Sequence, residues 1–453
     1  MFDELSMVLT SGGRGSRLRP MSLYSPTTMI PKGLMRIMGI PLTEIQFRIA
    51  ESLKMKNVYI IAQHLENREQ LANRFGDGRL FGFKLYYSHP SHDHKNNGSG
   101  DAILSNMKEY DLSGNSIILP NDNLFDGDFK EALKFHKKSG AVVTILTIPM
   151  KPVDTINMYG LIDVLPDNSV KGIIEKPKNE KEIMKAMGYL KKSDLKNKKV
   201  HVNTAGYIVN NDKLRALSSS NWIAEGRGQL GGFDMAGDLL AGLIKYNEKI
   251  DVFPISAWGD FGSADLYLKT MERVLSDEFI FMRKFLKKSG YVFLDNNVFV
   301  HSDLVGGGGN KRKIEEYLKN KKIKLGPNVF IGRGCDLRFG CKISYSNIEK
   351  QVSIGNGAKI SHSFVSPYSW VGQDAIIKDS ILSLQASVES SIKNKTKVLN
   401  GSVVGSQLVI PVGSSLNEST IFPGCFFDKP IKFNKKIHKP EREELIRFYK
   451  AFS

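Results

Sequence analysis

The stretch Gly12-Gly13-Arg14-Gly15-Ser16-Arg17-Leu18 follows the apolar run Met7-Val8-Leu9 near the start of a chain of 453 residues. A strand running into a glycine-rich loop presents successive backbone N–H groups, an arrangement suited to cradling phosphate. The loop is not a dinucleotide fingerprint, because the third glycine of G-x-G-x-x-G, counted from Gly13, falls on Leu18. Nor is it a P-loop, which requires G-x-x-x-x-G-K-[ST]. Arg17 and, further on, Lys32 add the positive charge that β- and γ-phosphates would need. By itself the loop points to an anion site and no further.

Working outward, residues 1–270 alternate short apolar runs with helical patterns. Asn57–Ala62, Ser116–Leu119 and Val142–Leu146 read as buried strands, with Leu42–Lys54 and Phe129–Ser139 as helices between them. That alternation predicts an α/β domain, Rossmann-like, with a mixed but mainly parallel sheet. Ligands in such sheets gather beyond the carboxyl ends of the strands. The loop and the turn Pro120-Asn121-Asp122 both follow predicted strands, so they are expected in one crevice.

The last third has another rhythm. From Ile331, apolar residues recur at Leu337, Ile343, Ile348, Ile354, Ile360, Val365, Val371, Ile377 and Leu382, so that each turn spans 17 residues. A near-hexapeptide period predicts a parallel β-helix with one inward apolar residue per face, over 326–425. Residues 271–325 read as a linker holding a helix and the loop Gly306-Gly307-Gly308-Gly309, and 426–453 as a basic tail ending in a helix.

The motifs of this chain resemble those of one family. Leu9-Thr10-Ser11-Gly12-Gly13-Arg14-Gly15-Ser16-Arg17-Leu18-Arg19-Pro20, with Pro31-Lys32-Gly33-Leu34 behind it, is similar to the signature of the sugar-1-phosphate nucleotidyltransferases, with Ser16 for threonine and Gly33 for proline. Further matches follow in order across about 270 residues: Gly98-Ser99-Gly100-Asp101-Ala102, Asn121-Asp122-Asn123, Tyr159-Gly160, Glu175-Lys176-Pro177, Val202-Asn203-Thr204-Ala205-Gly206-Tyr207 and Trp258-Gly259-Asp260-Phe261-Gly262-Ser263. The resemblance implies a left-handed β-helix as the C-terminal partner of the catalytic domain. It also implies transfer of a nucleoside monophosphate from an NTP to a hexose 1-phosphate, glucose or mannose, with release of pyrophosphate.

Residue by residue, it implies Ser11, Gly12, Gly13, Gly15, Ser16, Gly98, Ser99 and Asp101 around the nucleotide, and Gly160, Glu175, Lys176, Asn203 and Thr204 around the sugar phosphate. Arg17 and Lys32 would take the departing pyrophosphate, Lys176 the attacking phosphate, and Asp122 with Asp260 a Mg²⁺ ion. The chemistry explains such a set. A sugar phosphate oxygen is already ionised near neutral pH, so positioning and charge neutralisation do the catalysis.

Bulk properties bound the rest. The net charge of +17 invites a nucleic-acid reading, but the excess is lysine in exposed-looking runs, without arginine tracts interleaved with aromatics. No apolar stretch approaches the ~20 residues of a membrane helix, the start lacks a signal-peptide pattern, and three cysteines suit a reducing compartment. A cytoplasmic homo-oligomer assembled through the β-helix is expected, with no nucleic-acid or membrane partner.

The cluster His89, His92, Asp93 and His94 reads as a solvated turn, His136 as a helix-face histidine, and His362 as a structural residue of the β-helix. Two other readings stay open: a non-catalytic regulatory or scaffold relative, and a bifunctional enzyme with acetyltransferase activity on the β-helix. The survival of Arg17, Lys32, Asp122, Glu175, Lys176 and Asp260 favours the enzyme. The base stays open, since Gly98–Ala102 is similar to the adenylyltransferase form and Gly39-Ile40-Pro41-Leu42 to the guanylyl- and thymidylyltransferase one.

Overall fold

The fold is described from a computed structural model, which covers residues 4–12, 15–89, 98–228, 232–305 and 316–452. Gly13 and Arg14 of the glycine loop, His92, Asp93 and His94, and the four glycines 306–309 lie outside these residues. The chain divides into two compact units that are discontinuous in sequence. One comprises Met1–Gly13 and Thr43–Gly259, the other Arg14–Leu42 and Asp260–Ser453. The segment between the glycine loop and the first long helix thus belongs with the C-terminal half.

In the α/β unit the strand Leu5–Ser11 lies centrally, parallel to Asn57–Ala62 on one side and to Asn115–Pro120 on the other. Its residues are almost all buried, as expected where helices cover both faces of a parallel sheet. Lys84–Tyr87 extends the parallel run beyond Asn57–Ala62. The long strand Val200–Asn210 then joins antiparallel to Asn115–Pro120, and it also pairs antiparallel with Val143–Met150 and Leu161–Val164. The sheet is therefore mixed and mainly parallel at its centre. Its core gathers Val8, Ile118, Ile145, Tyr207 and Leu239 with their neighbours. A smaller apolar cluster, with Leu161, Ile183, Met187, Leu195 and Val202, packs against the strands Leu161–Val164 and Val200–Asn210.

The β-helix unit stacks short parallel strands in three sheets. Ile331 pairs with Ile348, Asn347 with Phe364, and Ile348 with Val365, so inward residues stack coil on coil at the period read from the sequence. Ile331, Ile348, Val365, Leu382, Val404 and Ile421 form one wholly buried column. A second column is polar. The Ser363 amide donates to Ser346 Oγ at 3.1 Å, the Ser380 amide to Ser363 Oγ at 3.1 Å and the Ser419 amide to Ser402 Oγ at 3.1 Å, so buried corners are satisfied by their own neighbours.

Between Leu382 and Val404, paired in register, the repeat carries extra residues, which hides its continuation in the sequence. The coils run on through Lys432–Asn434 and Ile437–His438. Before them, Tyr291–Leu294 and Val298–His301 join the same sheet as Val329–Ile331. No helix among the described residues is long and apolar enough to cross a membrane.

The segment Arg14–Leu42 is stapled to the β-helix by buried polar groups. Glu349, wholly buried, accepts the Gly39 amide at 2.8 Å and Arg36 Nε at 3.3 Å. Asn347 Nδ2 donates to the same carboxylate at 3.0 Å, while its Oδ1 accepts the Met38 amide at 2.7 Å. The buried Tyr267 hydroxyl donates to the Arg36 carbonyl. His362 Nδ1 lies 2.5 Å from Glu272 Oε1, and its ring stacks on Tyr345.

Candidate active site

Two neighbouring cavities open beyond the carboxyl ends of the central strands of the α/β unit, and both are lined by Thr10, Ser99 and Pro120. The first, of about 260 Å³, is closed by Glu175, Lys176, Ala205, Tyr207 and the stretch Asp234–Gly237. The second, of about 310 Å³, is lined by Gly12, Gln63, Gly98 and Asp122. The crevice predicted from the two strand ends therefore exists.

On the first side the groups attributed to the sugar phosphate meet. A Cβ built on Gly160 would stand 2.5 Å from Glu175 Oε2 and 3.6 Å from Asn203 Cβ, so glycine is what lets the carboxylate lie there. Lys176 Nζ lies 3.4 Å from Glu175 Oε1, and its backbone adopts a φ of 44°, a strained geometry for lysine. Asn203 holds a register shift in the long strand: its Oδ1 accepts the Ala205 amide at 2.9 Å and its Nδ2 donates to Tyr207 Oη at 3.2 Å. Asn203 thereby positions Ala205 and Tyr207, which line the cavity. Tyr159 packs edge-on against Trp258, with ring centres 4.9 Å apart.

Three residues implied by the resemblance are turned inward. Asp101 is buried and ion-paired with Arg227, which also donates to Ser105 Oγ at 3.0 Å. Thr204 is buried, with its hydroxyl donating to the Leu146 carbonyl at 2.6 Å. Ser11 is buried at the end of its strand. None of the three lines either cavity. Gly98 and Gly100 have a packing duty: a Cβ on either would lie within 3.0 Å of the Phe233 carbonyl oxygen, which accepts the Gly100 and Asp101 amides. That close approach carries Asp234 to the Ser99 amide and hydroxyl, each 3.3 Å from its Oδ1. Asp234–Gly237 were not singled out from the sequence. The π-helical turn Met235–Leu240 that bears most of them is a frequent mark of functional sites, but it has no motif to announce it.

Within the β-helix unit, Gly15 has a φ of 58°, and a Cβ there would sit 3.7 Å from the Lys32 stem. Ser16 and Arg17 open a short helical turn, Ser16–Leu18. A Cβ on Gly262 would lie 2.9 Å from Asp260 Oδ1 and 3.5 Å from Arg17 Nη2, so this unit gathers Gly15, Arg17, Lys32 and Asp260 about its own loop. Arg17 also borders a cavity of about 490 Å³ with Lys269, Glu272 and His362.

The two carboxylates attributed to a metal are both half-buried and held by neighbours. Asn123 Nδ2 donates to Asp122 Oδ1 at 2.9 Å, and the Gly262 amide donates to Asp260 Oδ1 at 2.7 Å. Oriented carboxylate oxygens are the donors that hard divalent cations accept.

His136 is buried with its Nδ1 2.7 Å from Thr144 Oγ1. Burial, helped by Lys213 and Lys137, lowers its pKa to about 4, so it is a neutral core residue.

A parallel-centred sheet with a glycine-rich loop and an acidic turn at its strand ends, carried on one chain with a β-helix, defines the class as a nucleotide-handling α/β protein. Residues 6–277, well over half of the chain, match the nucleotidyl transferase family, and residues 317–437 match the GMPPB C-terminal domain. The chain belongs to the nucleotidyl transferase family. It is 23% identical over 391 residues to a UTP–glucose-1-phosphate uridylyltransferase of Synechocystis sp., covering 83% of this chain and 87% of that protein. It is 23% identical over 397 residues to a glucose-1-phosphate adenylyltransferase of Photobacterium profundum, covering 80% of this chain and 93% of that protein. A solved structure of a putative glucose-1-phosphate thymidylyltransferase from Bacillus anthracis aligns with a TM-score of 0.46 at 16% identity, over 59% of this chain and 94% of that one.

Proposed function

We propose that this chain transfers a nucleoside monophosphate from an NTP to the phosphate of a hexose 1-phosphate, glucose or mannose, and releases pyrophosphate to yield an NDP-sugar. The observation that carries this reading is the pair of adjoining cavities, with Lys176 and Glu175 on one side and Gly12 and Asp122 on the other. That spacing suits an ionised sugar phosphate and a nucleotide α-phosphate brought together for in-line attack. Lys176 holds the attacking phosphate, and Glu175 takes a sugar hydroxyl, a contact that rejects analogues lacking it. Gly12 and Ser99 border the nucleotide, and Arg17 and Lys32 take the leaving pyrophosphate. Asp122 and Asp260 would hold a divalent ion, Mg²⁺ in our reading, which would supply positive charge to offset the negative charge of the phosphates.

The test is pyrophosphate release over a grid of four NTPs and several hexose 1-phosphates with Mg²⁺. Release for at least one pair is expected, and no release for any pair sinks the reading. Asp122→Asn is expected to abolish turnover with the fold intact, as judged by circular dichroism, whereas unchanged turnover removes Asp122 from the metal. We place the enzyme in the cytoplasm, a reading supported by its three buried free cysteines, and as a homo-oligomer through the β-helix, where Tyr368, Trp370 and Val409 are exposed.

A further inference from the structure

We propose that Cys425, His438 and Glu444 form a binding site for a borderline divalent metal ion of the Zn²⁺ class, which clips the C-terminal helix to the last coils of the β-helix. One ligand atom from each of the three lies within 4.8 Å of the other two. A thiolate sulfur, an imidazole nitrogen and a carboxylate oxygen are the donor types such an ion takes, and water can complete the tetrahedron.

The three residues come from three segments. Cys425 follows the strand Thr420–Ile421, His438 ends the strand Ile437–His438 in register with Ile421, and Glu444 stands in the first turn of the helix Arg442–Phe452. Each is held in place. Glu444 Oε1 accepts the Phe426 amide at 3.0 Å and its Oε2 accepts the Glu441 amide at 2.7 Å, which leaves lone pairs on both oxygens and fixes their direction. The His438 ring packs against Phe427 and Phe433, each with centres 5.4 Å apart.

An independent observation points to a ligand: His438 Nε2 is buried and has no hydrogen-bond partner among the described residues. Buried imidazole nitrogens are rarely left so, because desolvation without a partner is unfavourable. Cys425 is only 5% exposed, so its sulfur is shielded from solvent beside that nitrogen. Burial and the adjacent Glu444 charge raise its thiol to about 12, which a dication in the cluster would reverse. Binding then replaces the S–H bond by an S–metal bond and releases that proton to solvent.

The experiment uses the full chain, stripped with a chelator and titrated with Co²⁺. One equivalent is expected to produce a thiolate-to-cobalt charge-transfer band, to release one proton, and to be displaced by Zn²⁺. Cys335 and Cys341 stay in place in every variant as internal controls. Cys425→Ser is expected to lose the band, and His438→Gln, which removes a direct ligand, to weaken binding by more than the roughly 10- to 100-fold that losing an outer-sphere partner costs. No band in the wild-type chain, or the same band in Cys425→Ser, overturns the site. Should Cys425→Ser fail to fold, alkylation of the wild-type chain decides: Zn²⁺ must protect Cys425 from iodoacetamide, and unprotected alkylation overturns the proposal.

Discussion

Replacing Glu349 by Ala tests how the segment Arg14–Leu42 is bound into the β-helix unit. Glu349 is wholly buried, and its carboxylate takes Arg36 Nε, the Gly39 amide and Asn347 Nδ2. Removing it takes the acceptor from Arg36 Nε, on a side chain that is 26% exposed, and from the Gly39 amide. Breaking a buried ion pair from one side costs about 3–5 kcal/mol. Because Arg36 retains some solvent, the loss belongs near the lower end, roughly 3–4 kcal/mol with the orphaned amide included. In a unit of this size that lowers the melting temperature by on the order of 10 °C.

Glu349→Gln keeps an oxygen for the Gly39 amide and loses only the charge, so about 1–2 kcal/mol is expected. Differential scanning calorimetry measures both. Hydrogen exchange supplies the local readout, with the Met38 and Gly39 amides losing protection in the alanine variant. A melting temperature within 2 °C of wild type, with those amides still protected, would refute the reasoning.

Gly160→Ala pushes a methyl group to 2.5 Å from Glu175 Oε2, so KM for the sugar phosphate should rise roughly tenfold while the melting temperature barely moves; steady-state kinetics decide, and an unchanged KM removes Glu175 from that contact. His136 sets a pH dependence. Folded, it stays neutral down to about 4, whereas in the unfolded chain it takes up a proton near 6.5, so the unfolded state binds more protons in that window. Stability therefore falls as pH drops from 6.5 towards 4, by up to about 3 kcal/mol from this residue. His136→Gln should flatten that part of the curve in denaturant titrations, and an identical slope would contradict it. Gly98 has a φ of 121° and faces the Phe233 carbonyl, so Gly98→Ala should strain the approach of Asp234 and cost about 1–3 kcal/mol, read from urea unfolding.

What could be read from the chain alone is what depends on local order. The apolar period of the β-helix is legible because each coil repeats the same inward positions, from Ile331 to Leu382. The strand-then-loop placement of Gly12 and Asp122 is legible because strand ends in parallel sheets face one edge. Only the folded chain decided the rest. Asp101 and Thr204 match motif positions, yet Arg227 and the Leu146 carbonyl turn them inward, and neither partner is signalled by spacing.

Residues added between Leu382 and Val404 interrupt the repeat without interrupting the coils, since parallel strands pair across an outward loop. The membership of Arg14–Leu42 in the C-terminal unit rests on hydrogen bonds that reach some 310 residues along the chain, from Met38 to Asn347 and from Gly39 to Glu349. Periodicity reports which face of an element is buried. Which distant carboxylate satisfies a buried amide is settled by where the whole fold brings them, and that information exists only in three dimensions.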